Sequence, residues 1–95
     1  MNNLEVSKML TVSTAHITED TNRLLANEPY TDGMQLSVFE KADFGWFIYV
    51  NDDLENRNIP DDLRACLELA KENGCKWLCL DCDGDTVDEL EEYEW

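Results

Sequence analysis

The chain has 95 residues, 22 of them acidic against 7 basic, for a formal net charge of −15. A chain this short builds one modest core and leaves no room for a second, and its hydrophobic content of 43% is ample for folding. The charge argues against direct binding of nucleic-acid phosphates or anionic membranes and favours a cationic partner, most naturally a protein surface that itself holds DNA or RNA.

No apolar run approaches the length of a membrane span, and Met1-Asn2-Asn3-Leu4-Glu5 lacks the basic and hydrophobic regions of a signal peptide. A protein of the host cytoplasm is therefore expected, with Cys66, Cys75, Cys79 and Cys82 as reduced thiols.

Residues 1–7 are polar, and a loose N-terminus is expected there. From Lys8 to Thr14, Leu10 and Val12 alternate with Thr11 and Ser13, which predicts a strand. Thr18 is a plausible helix N-cap, with Glu19 and Asp20 in the first turn where the dipole favours anions, and Leu24 and Leu25 inward until Asn27-Glu28-Pro29. Tyr30-Thr31-Asp32-Gly33 is a turn cluster. Met34 to Lys41 alternates again and predicts a second strand. Phe44 to Val50, nearly all aromatic or β-branched, gives the strongest strand signal in the chain, joined to its predecessor as a hairpin. After an acidic loop, Pro60 opens a helix over Asp61–Lys71 with Leu63, Cys66, Leu67 and Ala70 on one face. Asn73-Gly74 supplies a left-handed stop, and Lys76–Asp81 is the fourth strand.

This order predicts an α+β, ferredoxin-like βαββαβ domain over residues 8–82, a four-stranded antiparallel sheet with both helices on one face. Alternation places Leu10, Val12, Leu36, Val38, Trp46, Ile48, Leu78 and Leu80 under the helices and sends Phe39, Phe47, Tyr49, Trp77 and Cys79 to the other face. An open aromatic face would be sticky. The acidic C-terminal tail, residues 83–95, is expected to cover it through Val87, Leu90, Tyr93 and Trp95, leaving a monomer, or else a second copy covers it in a homodimer.

Motifs for chemistry are weak. Asp81-Cys82-Asp83-Gly84-Asp85-Thr86 is similar to the nucleophile motif of haloacid-dehalogenase-type phosphatases, but it has an extra Asp85 and too little chain follows it. Laid on an EF-hand loop, Asp81, Asp83, Asp85 and Glu92 fall on ligand positions, yet Thr86 stands where glycine is required. Cys75, Cys79 and Cys82 with His16 match no common zinc spacing, and small buried hydrophobes are the plainer reading. His16 beside Ser13 and Glu19 or Asp20 invites a catalytic reading, but a capping or core hydrogen bond is the commoner use. No enzyme activity, metal or cofactor is expected.

The distinctive feature is charge. From Asp81 to the end there is no lysine or arginine, and acids recur at Glu19-Asp20, Asp52-Asp53 and Asp61-Asp62. Such rows resemble the phosphates of a duplex, one charge per ~1.7 Å of axis. Two acidic patches are expected to meet arginine and lysine of a partner: Asp52, Asp53, Glu55, Asp61 and Asp62 in one, and Asp83, Asp85, Asp88, Glu89, Glu91, Glu92 and Glu94 in the other. The alternative surface is aromatic: Phe39, Phe47, Tyr49 and Trp77, serving a protein-interaction or dimerisation module.

Ser13-Thr14-Ala15-His16-Ile17-Thr18, the central Phe44-Gly45-Trp46-Phe47-Ile48, the run Leu69 to Leu78, and Leu80-Asp81-x-Asp83-Gly84 through Tyr93-x-Trp95 resemble a small domain-of-unknown-function family of plasmids, phages and mobile elements. The resemblance spans Leu10 to Trp95 and brings no catalytic residues. It implies a context in which small acidic proteins inhibit host defence, in the manner of anti-CRISPR and anti-restriction proteins. The expectation is a DNA-mimic inhibitor that binds the basic DNA- or RNA-binding surface of a host defence protein.

Overall fold

The computed structural model describes residues 4–27 and 34–95. Strand β1 (Met9–Ser13) leads through a 3₁₀ turn (Thr14–His16) to helix α1 (Glu19–Asn27). Then follow β2 (Val38–Lys41), β3 (Gly45–Tyr49), a second 3₁₀ turn (Leu54–Asn56), helix α2 (Asp61–Glu72) and β4 (Trp77–Asp81). The expected α+β class and order of elements hold. The expected Glu28-Pro29 stop and the turn at Tyr30–Gly33 lie outside the described residues.

The sheet is mixed, in the order β1-β4-β3-β2. β4 runs parallel to β1, with Leu10 opposite Leu78 and Val12 opposite Leu80, and antiparallel to β3, which is antiparallel to β2. This corrects the fully antiparallel sheet. Burial explains the arrangement. Leu78, Cys79 and Leu80 are consecutive buried residues, as in a strand covered on both faces. Met9 and Thr11 of β1 are exposed, as on an edge.

Val12, Trp46, Ile48, Leu78 and Leu80 share one buried cluster with Leu25 of α1 and Leu63, Cys66, Leu67 and Ala70 of α2. Both helices thus cover one sheet face, and 3.6-residue spacing sets which side of α2 turns inward. Asn73 ends α2 and Gly74 follows at φ 74°, donating to the Lys71 carbonyl while Cys75 donates to that of Ala70. That is the Schellman closure expected of Asn-Gly.

The second strand is shorter than expected, beginning at Val38 rather than Met34. Gln35 adopts φ 44°, and the guanidinium of Arg57 binds the carbonyls of Met34 and Gln35. A side chain therefore satisfies backbone acceptors that a ladder would otherwise have used, although Met34 and Leu36 remain buried.

Gly45 is indispensable. A Cβ there would lie 1.7 Å from the Leu80 carbonyl oxygen. In register, Lys41, Gly45 and Asp81 lie side by side across three strands, and with no side chain between them Lys41 pairs directly with Asp81.

Candidate functional site

The tail is anchored to the end of β1 and the turn that follows it. Asp85 accepts from the Ser13 N–H at 2.9 Å, Tyr93 donates to the Ala15 carbonyl at 2.7 Å, and the Trp95 indole donates to the Ile17 carbonyl at 2.9 Å. The centre of the attachment is His16, which is buried. Its Nε2 accepts from the Val87 N–H at 3.0 Å, which leaves the ring proton on Nδ1 to donate to the Glu91 carbonyl at 2.7 Å. The imidazole is thereby held in one neutral tautomer by two main-chain partners.

Val87 and Leu90 pack against the helix-side core, while Asp83, Asp85, Asp88, Glu89, Glu91, Glu92 and Glu94 are exposed. A spacing of three along Val87, Leu90 and Tyr93 sorts the tail into an inner apolar and an outer acidic side. The expectation that this tail crosses the aromatic sheet face is corrected. Gly84 passes so close to Val12 that a Cβ would meet its carbonyl at 2.9 Å. The chain leaving β4 therefore turns over the end of β1 to the helix side.

The starts of both helices lie at the same end. Thr18 caps α1, its hydroxyl accepting from the Thr21 N–H at 3.2 Å. Asp62, in the first turn of α2, accepts from the Thr18 N–H at 2.7 Å and the Thr21 hydroxyl at 2.9 Å. Asp62 is thus half-buried and committed internally, so it joins two helix starts instead of facing a partner. Asp61 beside it is exposed. Burial, with the charges of Glu91, Asp62 and Asp61 close by, pushes the Tyr93 phenol above its ordinary value. The tail and the start of α2 therefore lie side by side.

The loop of Asp52, Asp53 and Glu55 differs. Asp53 pairs with Arg57 at 2.9 Å, and that hydrogen bond holds its carboxyl below the usual Asp range. Lys71 donates to the Asp52 carbonyl at 2.7 Å, and Arg64 binds the carbonyls of Leu54 and Arg57. Among the described residues the remaining ion pairs join Arg23 to Glu19 and Asp20 at 3.7 and 3.6 Å, and Lys41 to Asp81. None reaches a carboxylate beyond Asp81. The first expected patch therefore divides: Asp52, Asp53 and Glu55 form a cation-laced loop, and Asp61 belongs with the tail.

The aromatic residues sit where alternation put them. Trp77 meets Tyr49 edge-on at 5.4 Å and Phe39 at 6.1 Å between ring centroids. Phe39 remains 55% exposed, and Met9, Phe39, Phe47 and Trp77 line a shallow groove.

The remaining motifs are absorbed by the fold. Asp81 binds Lys41 and accepts from the Asp83 N–H at 2.8 Å, which lowers its carboxyl below the ordinary range. Its ligand atoms lie within 4.8 Å of those of Cys82 and Asp83, but the Lys41 ammonium already occupies Asp81. The Ser13 hydroxyl accepts from the Ala15 N–H, so Ser13 and His16 form no nucleophile–base pair. All four cysteines are free and only Cys82 is exposed. Burial pushes the Cys66 thiol up to about 12 and raises that of Cys79. Among the described residues no helix is long and apolar enough to cross a membrane.

The core hydrogen bond expected of His16 is present, but sequence reasoning missed that its partners lie in the tail, and it missed the helix-bridging role of Asp62. A lone histidine fifteen residues into a chain with an acidic, aromatic ending gives no local sign of either.

These features define a small α+β domain with a mixed four-stranded sheet and a docked acidic tail. The family described as "Family of unknown function (DUF5983) C-terminal domain" matches residues 9–95, and the chain belongs to it. No curated protein and no solved structure matches the chain.

Proposed function

We propose that this domain is a non-enzymatic binding protein that presents the carboxylates of its tail to the basic nucleic-acid-binding surface of a partner protein. One observation carries the reading. Residues Asp83–Glu94 are fixed on the domain by His16 with their acids outward and, among the described residues, without a cation to pair them. A fixed row of carboxylates loses less freedom on meeting arginines and lysines than a mobile one, and its field speeds encounter. Asp61, at the start of α2, adds an exposed acid at the same end. The reading extends to a phage- or plasmid-borne inhibitor of host defence, a DNA mimic acting on a CRISPR effector or restriction nuclease.

The test is competition. A labelled DNA duplex bound to such a nuclease is titrated with the domain between about 50 and 200 mM salt, a range over which ion-pair binding weakens steeply. Displacement that fades with salt, and is lost in a variant combining Asp88→Asn, Glu89→Gln, Glu91→Gln and Glu92→Gln, is the expected result. Absence of displacement across a panel of such nucleases, or displacement indifferent to both changes, overturns the proposal.

A second reading has its own observation, since the aromatic face is left uncovered by the tail. Phe39, Phe47, Tyr49 and Trp77 would then hold a second copy or another protein. Light scattering on the parent and on Phe47→Ala and Tyr49→Ala decides it: a dimer that dissociates in the variants favours this face, and an unchanged monomer removes the second copy.

A further inference from the structure

A cleft of about 630 Å³ opens at the acidic end between α1, the turn linking β2 to β3, and the last residues of the tail. Its lining contains Phe44, Trp46, Tyr93 and Trp95, the carboxylates Glu40 and Asp43 and, among the described residues, no lysine or arginine. We propose that this cleft receives an arginine side chain of the partner protein. The proposal rests on the reading of the acidic end given above and deepens it by naming an anchor.

Two features of the lining select a cation. Both indole N–H groups are already engaged, Trp46 with the Asn22 side-chain oxygen at 2.9 Å and Trp95 with the Ile17 carbonyl at 2.9 Å. With those polar atoms taken, the exposed rings of Phe44 and Trp95 offer a guest aromatic surface, which attracts cations. Charge supplies the second. Glu40 stands opposite Trp46 in the β2–β3 ladder, which puts it on the helix side of the sheet. Asp43 lies in the adjoining turn. Among the described residues neither carboxylate is in an ion pair. Nearby Lys41 cannot serve them, because it points to the opposite face and is held by Asp81. The exposed carboxylates of the neighbouring tail add negative field.

Arginine fits this lining better than lysine. A planar guanidinium can stack on an aromatic ring while its edge donates to a carboxylate, whereas an ammonium is a compact, strongly hydrated point charge. Phe44 and Trp95 are 51% and 53% exposed, so much of their ring surface is available to an incoming group. Burying them under an aliphatic stem and a guanidinium would also remove apolar surface from water.

The experiment titrates the intact domain with a blocked tri-arginine peptide, its neutral isostere tri-citrulline and tri-lysine, following the indole resonances of Trp46 and Trp95 and the rate at which a maleimide modifies Cys82, which also lines the cleft. Tri-arginine is expected to shift both indoles and slow Cys82 modification, tri-lysine to bind several-fold more weakly, and tri-citrulline to do neither. Glu40→Gln and Asp43→Asn, both at exposed positions, are expected to weaken tri-arginine binding by about fivefold each, a change near 1 kcal/mol. Equal action of tri-citrulline, or tri-arginine shifts confined to tail amides with the indoles unmoved, overturns the cleft while leaving the acidic end intact. Tri-lysine binding as tightly as tri-arginine overturns the guanidinium assignment. Cleft binding together with failure to displace DNA from any nuclease would instead overturn the broader reading alone.

Discussion

Two stretches of this domain are alike in being rich in acids and unlike in how they are held. The loop from Asp52 to Glu55 is stitched down by cations: Arg57 takes the Asp53 carboxylate and reaches two carbonyls of the segment before β2, Lys71 holds the Asp52 carbonyl, and Arg64 ties Leu54. The tail from Asp83 to Glu94 is held by a neutral imidazole and main-chain hydrogen bonds, so its carboxylates stay unspent. The attachment chemistry, more than the number of acids, decides which stretch can offer negative charge to another molecule.

His16→Ala removes a buried ring and leaves its two main-chain partners, the Val87 N–H and the Glu91 carbonyl, unpaired, and a loss of roughly 2–4 kcal/mol is expected from the cavity and the stranded polar groups. The largest rise in amide exchange should fall on Val87, with the Asp52–Arg57 loop unaffected. Equal loss of protection in both stretches would mean that His16 supports the core generally and the tail only incidentally.

From the loop side, Arg57→Met is expected to cost about 1–3 kcal/mol, since it strands the half-buried carbonyl of Met34. Its chemical-shift changes should gather around Met34–Leu36 and Asp53 and leave the tail unmoved. Asp62→Ala sharpens the boundary between the two stretches. Loss of its hydrogen bonds to Thr18 and Thr21 is expected to cost about 1–2 kcal/mol, the scale of a helix cap, with fraying confined to the start of α1.

Acid titration gives a subtler contrast. The Asp53 and Asp81 carboxyls are held below the ordinary 3.8, each chiefly by a hydrogen bond to a cation. Their pairing therefore contributes stability above that value, and the contribution is lost as pH falls through the lower folded-state values. Carboxyl carbon NMR should place both midpoints below 3.8, and Arg57→Met and Lys41→Met should each move the midpoint of the former partner upward, toward it. The smallest effect is neutralisation of the tail: Glu89→Gln with Glu92→Gln should change stability by no more than about 0.5 kcal/mol, with any gain largest at low salt as self-repulsion falls.

Much of the scaffold was legible because it depends on periodicity. Three-residue spacing marked the buried side of α2, and two-residue alternation placed Phe39, Phe47, Tyr49 and Trp77 together on the open face. The strand order was not legible in the order of elements, because β1 can pair with β3 or β4 without changing it. The unbroken apolar run Leu78-Cys79-Leu80 and the polar Thr11 and Ser13 of β1 were the available signs. The tail's course depends on Gly84 against Val12 and on His16 meeting Val87 and Glu91, contacts spanning some seventy residues that no local pattern encodes. Asp62 was misread for the opposite reason: a carboxylate in the first turn of a helix looks the same whether it faces solvent or caps a neighbouring helix.

The most direct measurement is the local electrostatic potential itself, obtained residue by residue from the different relaxation enhancements that a cationic and a neutral nitroxide cosolute produce on backbone amide protons. The expected result is a clearly more negative potential at residues 83–94 and at Asp61 than at residues 52–57. Equal potentials over the two stretches, or a more negative loop, would contradict the account.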